Sequence, residues 1–188
     1  QLERLLGNLE IDSGYAQAVI DWLDADLQTT IPDGAEDGYY MNLERPYRSA
    51  NEPILSVSEL RLIRGFDDPL VYDRILPHIC AFGVDASINI NTATEEVLRS
   101  LADELSAGDV AQIIEQRTET PFNSINEFTS FNDLKKTITS TENLTVGTEY
   151  FMLETVATIG QVSVITYSMI HRDNDGETTV MSRTQGVY

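Results

Sequence analysis

The 188-residue sequence is poor in several residue types: one cysteine, one tryptophan, two histidines, and 12 lysines and arginines against 31 acids. A lone cysteine, Cys80, excludes an intrachain disulfide. Its neighbours Ile79, Ala81 and Phe82 mark it as a buried small hydrophobe. The formal net charge of −19 works against nucleic-acid binding, because affinity for phosphate backbones comes mostly from Lys and Arg. Such a charge suits a protein that meets cations or basic surfaces. No signal peptide and no apolar run of membrane-spanning length is legible. The chain opens on Gln1 rather than Met and is therefore expected to be a piece of a longer or processed protein. No glycine-rich phosphate loop, H-E-x-x-H or G-x-S-x-G motif occurs. His78 and His171 lie beside apolar residues without metal-ligand spacing and read as structural or surface residues. No enzymatic activity is expected.

What is present is acid, concentrated early. Residues 21–53 hold Asp21, Asp24, Asp26, Asp33, Glu36, Asp37 and Glu44 before the first base, Arg45. The same stretch holds Trp22 and the pair Tyr39 and Tyr40, which argues against a merely solvated tract. Crowded carboxylates repel one another unless something neutralises them. Asp21 and Asp24 are three apart, on one face of a helix end where the macrodipole is itself negative. Ca²⁺ takes six to eight oxygens in loose geometry and fits this supply better than Mg²⁺. The expected ligands are Asp21, Asp24, Asp26, Glu36 and Asp37. The competing reading is a solvated loop paired to Arg45 and Arg48. Asp173-Asn-Asp175-Gly-Glu177 has a superficial likeness to a calcium loop but reads as a hairpin turn.

The organisation is α+β. Residues 1–138 read as a helical domain and residues 139–188 as C-terminal antiparallel strands. Gln1 to Leu9 is amphipathic, and a second helix starts near Asp12 with Tyr15, Val19, Ile20 and Leu23 as its apolar face. After the acidic loop at 21–53, two similar units follow, at about 54–82 and 88–136, each a capped helix, a turn and a helix. Ser56–Glu59 and Thr92–Glu95 have capping-box spacing, and Ser124–Glu127 caps a further helix. The expected helices include Ser58 to Arg64 and Leu70 to Ile79, the latter burying Leu70, Ile75, Leu76 and Ile79. Tyr150 to Ile159, Val162 to Arg172 and Thr178 to Arg183 read as strands of a small sheet that needs a cover.

The segment Ser87-Ile-Asn-Ile-Asn-Thr-Ala-Thr-Glu-Glu resembles the entry to SAM-like, helix-hairpin-helix modules. DNA-binding members present backbone N–H groups from a glycine-rich hairpin. Here that position reads Asp103-Glu-Leu-Ser-Ala-Gly108-Asp109, acidic and with one glycine. The fold is expected without the DNA function.

A wider resemblance rests on several pieces together. They are Asp21-Trp22-Leu-Asp24-Ala-Asp26, Gly34-Ala-Glu36-Asp37-Gly-Tyr39-Tyr40, Pro46-Tyr47-Arg48-Ser-Ala-Asn51, Ser56-Val-Ser-Glu59-Leu60-Arg61 and Ile88-Asn89-Ile-Asn91-Thr92-Ala93. In order and spacing the chain resembles the general secretion pathway protein K family, the large minor pseudopilins of the bacterial type II secretion system. The resemblance implies a pseudopilin core with an inserted helical domain. It implies a cap on a periplasmic pseudopilus, joined to minor pseudopilins I and J with H beneath, and calcium in the helical domain. It also implies an N-terminal transmembrane helix, outside this sequence, processed by a prepilin peptidase. The chain is then expected to be a periplasmic domain of a Gram-negative inner-membrane protein. Secreted substrates and the outer-membrane secretin are further candidate partners. Two alternatives remain at this stage: a helix-hairpin-helix nucleic-acid-binding protein, and an extracytoplasmic hydrolase using the acidic cluster.

Overall fold

A computed structural model describes residues 1–82, 86–173 and 175–186. The chain divides into two compact units, Gln1–Val146 and Gly147–Tyr188. The first is helical and contains two apolar cores; the second is a three-stranded antiparallel sheet.

The first core is built from α1 (Leu2–Asn8) and α2 (Tyr15–Leu23), which contribute Leu5, Leu6, Ala18, Val19 and Trp22. Tyr40 of the short α3 (Asp37–Tyr40), Leu60 of a 3₁₀ turn (Val57–Leu62), Ile63, Phe66 and Ile75 of α4 (Pro69–Ile75) complete it. Gly65 has φ +89, and a side chain there would collide with the Tyr15 ring, so a glycine lets the chain turn beneath α2.

The expected capping box at Ser56 does not close. Ser56 Oγ accepts from Ser58 N–H at 3.3 Å, but the Glu59 carboxylate is drawn to the Trp22 indole N–H at 3.0 Å. The result is a 3₁₀ turn rather than the expected α-helix to Arg64. Helix α4 starts at Pro69, capped by Asp68, and gives way to a second 3₁₀ turn (Leu76–His78). Ile75 is buried as expected, whereas Leu70 is 74% exposed: it lies in the first turn, away from the core side. Cys80 is exposed over the residue as a whole, not buried. It lines an apolar groove, and desolvation there pushes its thiol pKa up.

The second core gathers Ile90, Leu98 of α5 (Glu95–Arg99), Val110 and Ile113 of α6 (Ala107–Glu119), Phe122, Phe128 of α7 (Ile125–Ser130), Leu134 and Ile138. The cap of α5 is Thr94, whose Oγ1 accepts from Val97 N–H at 3.3 Å, rather than Thr92. Helix α6 closes a full capping box between Ser106 and Asp109, which holds the Asp109 carboxyl below its ordinary pKa. Ser124 caps α7 through Glu127 N–H. A two-residue parallel ladder, β1 (Ile88–Asn89) with β2 (Leu144–Thr145), ties the ends of this lobe together. Asn91 pins it: its Nδ2 donates to Phe122 O at 2.9 Å and Val146 O at 3.0 Å.

The two lobes meet along α1 and α5. Arg4 Nε donates to Ser100 O at 2.7 Å and Asn8 Nδ2 to Glu96 O at 3.2 Å. His78 Nδ1 lies 2.8 Å from Thr94 Oγ1 and 3.4 Å from Glu96, so this histidine is a structural contact between the lobes.

The sheet runs β3 (Tyr150–Ile159), β4 (Val162–Arg172) and β5 (Thr178–Gln185). Phe151 faces Ile170, Ala157 faces Val164 and Ile159 faces Val162 across one side; Met152 faces Met169 and Val156 faces Ile165 on the other. A bulge beside Met169 skips Met181 in the pairing with β5. The turn before β5 is a hairpin, with Asp173 N–H donating to Glu177 O at 3.0 Å and Gly176 N–H to Asp173 O at 3.1 Å. Asn174 of that turn lies outside the described residues. Among the described residues no helix is long and apolar enough to cross a membrane.

Candidate metal centre

The acidic loop begins where α2 ends. Asp24 terminates the helix with extended backbone, its N–H still donating to Ile20 O at 2.9 Å. Asp24 Oδ1 then accepts from Asp26 N–H at 3.2 Å, and Asp26 Oδ1 accepts from Gln28 N–H at 2.6 Å. These local turns hold both side chains on the same bend. Glu36, just before α3, is 2% exposed and arrives from the other end of the loop.

One carboxylate oxygen from each of Asp24, Asp26 and Glu36 can be chosen so that all lie within 4.8 Å of one another. Ca²⁺ binds oxygen at roughly 2.3–2.6 Å, so this spacing leaves room for such an ion between them. Glu36 Oε2 accepts from Ser49 Oγ at 2.7 Å, but Glu36 Oε1 is buried without a hydrogen-bond partner. A buried orphaned carboxylate oxygen is costly unless a cation, a proton or a hydrogen-bond donor satisfies it. Burial, followed by the charges of Asp21 and Asp24, pushes the Glu36 pKa above its ordinary 4.5, although the Ser49 hydrogen bond works the other way. Among the described residues no Lys, Arg or His forms an ion pair with these three acids. The donor set therefore fits a hard cation.

Asp21 and Asp37 stand outside this cluster. Asp21 is fully buried and accepts from Thr30 N–H at 3.2 and 3.1 Å. Its carboxylate packs so closely on Gly34 that any side chain there would collide with it and with Thr30 O. Asp37 accepts from Ser49 N–H at 3.1 Å and pairs with Arg48 at 3.5 Å. Arg64 braces the loop from below, with Nη1 donating to Asp33 O at 3.2 Å and Gly34 O at 3.1 Å.

Asn51 is a residue that charge counting does not reveal. Its Nδ2 donates to Asp26 O at 2.8 Å and its N–H to Trp22 O at 3.0 Å, while Oδ1 is buried without a partner. It sits in the left-handed region at φ +51, where asparagine is among the better tolerated residues. Only its place in the Arg48-Ser-Ala-Asn51 segment marked it beforehand.

Residues 1–84 match one family model and residues 88–147 a second, both described as type II secretion system (T2SS), protein K. The chain belongs to the type II secretion system protein K family. It is 36% identical over 191 residues to the type II secretion system protein K of Pseudomonas aeruginosa, covering 99% of this chain and 56% of that protein. It is 33% identical to the protein K of Pectobacterium carotovorum subsp. carotovorum, covering 98% of this chain and 58% of the relative. The Klebsiella pneumoniae protein K is likewise 33% identical, with 98% and 59% covered. The chain thus spans less than three-fifths of the length of these curated relatives. Its fold matches a chain in the crystal structure of the GspK–GspI–GspJ complex from the enterotoxigenic Escherichia coli type 2 secretion system. The TM-score is 0.74 at 20% identity, with 100% of this chain and 69% of that chain covered. The mixed helix-and-sheet family architecture, with its small antiparallel sheet, is the one present here.

Proposed function

We propose that this chain is the periplasmic part of a non-enzymatic minor pseudopilin that caps the type II secretion pseudopilus. In this reading it joins minor pseudopilins I and J, with H beneath, and supports export of folded proteins. The family match across residues 1–84 and 88–147 carries the proposal. The likeness to a chain from a GspK–GspI–GspJ complex supports I and J as partners. The test is assembly. Mixed with the periplasmic domains of pseudopilins I and J from the same bacterium, the chain is expected to co-elute as a ternary complex by light-scattering chromatography. Three separate species at concentrations well above micromolar would sink the proposal.

The same reading gives the acidic loop a structural task. Asp24, Asp26 and Glu36 hold Ca²⁺, Asn51 Oδ1 stands by as a neutral oxygen, and Asp21 and Asp37 hold the loop backbone in place around them. The ion supplies positive charge that cancels carboxylate repulsion. The acidic hairpin at 103–109 and the net charge of −19 count against the nucleic-acid alternative.

A pH dependence follows. Glu36 has a raised pKa in the fold, so its ionisation destabilises the cation-free protein. That penalty is absent below 4.5, where the group is protonated both folded and unfolded, and grows as pH rises through the raised value. The cation needs the carboxylate, so protons compete with it over the same range. The difference in melting temperature between Ca²⁺ and EDTA is expected to shrink as pH falls towards 4.5. A difference independent of pH would remove Glu36 from the ligand set.

A further inference from the structure

Beside the acidic loop lies an apolar groove of about 520 Å³. Its walls include Val19 and Leu23 of α2, Pro53 and Ile54 of the strap after the loop, Val57 of the 3₁₀ turn, and Cys80. Two of these walls are continuous with the carboxylate cluster. Leu23 directly precedes Asp24 at the end of α2. Asn51, two residues before Pro53, ties the strap to the bend through Asp26 O at 2.8 Å and to α2 through Trp22 O at 3.0 Å. The third connection runs through Glu59, which accepts from Trp22 Nε1 at 3.0 Å and from Leu55 N–H at 3.4 Å. The bend that carries the acids and the strap that carries the groove wall are therefore joined through the Asn51 amide, and the strap is also anchored on Trp22 of α2.

We propose that the carboxylate cluster controls the width of this groove, so that access to its apolar walls depends on cation occupancy. This rests on the cation reading given above. Without the ion, Asp24 and Asp26 repel Glu36 across a gap of under 5 Å, and the bend is driven away from α3. Asn51 transmits that displacement to Pro53 and Ile54, and the groove opens. With the ion bound, the bend closes on Glu36 and the strap seats against α2. Glu36 Oε1, buried without a hydrogen-bond partner, is the oxygen of the cluster that gains most from a positive ligand.

The chain's only thiol lines the groove and reports on it directly. Modification of Cys80 by Ellman's reagent is measured with excess Ca²⁺ and with EDTA, and Ca²⁺ binding is measured separately by calorimetry. Ca²⁺ is expected to slow modification at least about five-fold, the ratio given by a coupling near the low end of the usual range. Asp26→Asn, at an exposed position, is expected to react at one rate in both solutions. Equal rates for the unaltered chain, with binding heat observed, overturn the coupling and leave the cation site standing. No binding heat overturns both. Ile113→Val, in the other core, lowers stability without touching the groove. If it accelerates Cys80 in Ca²⁺ as much as EDTA does, the thiol is reporting global opening and the coupling falls.

Discussion

Chelation by EDTA is expected to lower the melting temperature of the helical unit by roughly 5 to 10 °C relative to saturating Ca²⁺. The size follows from mass action. A ligand that binds only the native state at a hundredfold excess over its Kd adds about 2.7 kcal/mol. For a chain of this length each kcal/mol moves the transition by about 2–4 °C. The structural reason is the absence of any ion pair to Asp24, Asp26 or Glu36 among the described residues, together with the buried, orphaned Glu36 Oε1. Mg²⁺ is expected to give a smaller shift, because it demands near-ideal octahedral geometry and gives up its waters reluctantly. Glu36→Gln separates charge from packing: in EDTA it should melt higher than the parent, since a buried repelled charge is gone, and in Ca²⁺ lower. Identical melting of the unaltered chain in Ca²⁺ and EDTA would dispose of the cation site.

The second large effect is expected at Tyr40. Its side chain is fully buried beneath the acidic loop. It meets Trp22 edge-on at 5.2 Å, stacks with Tyr47 at 5.3 Å and accepts a hydrogen bond from Arg64 N–H at 3.3 Å. Burial pushes its phenol pKa up to about 12, so it stays neutral throughout the ordinary pH range. Tyr40→Ala removes the whole ring and is expected to cost about 3–5 kcal/mol, as buried aromatic truncations do. Tyr40→Phe keeps the ring and strips only the acceptor from Arg64 N–H, which should cost about 1 kcal/mol. Urea unfolding followed by Trp22 emission reads both, since Trp22 lies in the same cluster. If the alanine variant unfolds within about 1 kcal/mol of the parent, the aromatic cluster is not what supports the loop.

The acidic bend was legible because like charges at close spacing demand compensation whatever the fold. The way the fold separates the five acids was not. Asp21 is set apart by its burial and by Thr30 N–H, and Asp37 by Ser49 N–H and its pairing with Arg48. Thr30 and Ser49 lie 9 and 12 residues away from these acids, across a loop with no periodicity to read. The same limit explains the caps. Ser56 and Glu59 have the right spacing, yet Trp22, 37 residues upstream, takes the carboxylate. At α5 the expected box began at Thr92, yet Thr94 is the residue that meets a helix N–H. Tyr150–Ile159 and Val162–Arg172 read correctly as strands, the first from its alternation and the second from its β-branched and aromatic content. Leu70 and Cys80 misled because an apolar type states a preference for burial, not a position within the core.

The short ladder between β1 and β2 decides where this gene can be divided. A chain ended after residue 138 would still hold every helix among the described residues, yet it would lose Asn143 O and Thr145 O, the acceptors for Ile88 and Ile90 N–H. It would also lose Val146 O, one of two acceptors for the Asn91 amide. Each loss costs about 1 kcal/mol, more where the donor is cut off from water. A fragment meant to carry the helical unit alone therefore has to run through Val146, since those last residues stitch the second lobe closed.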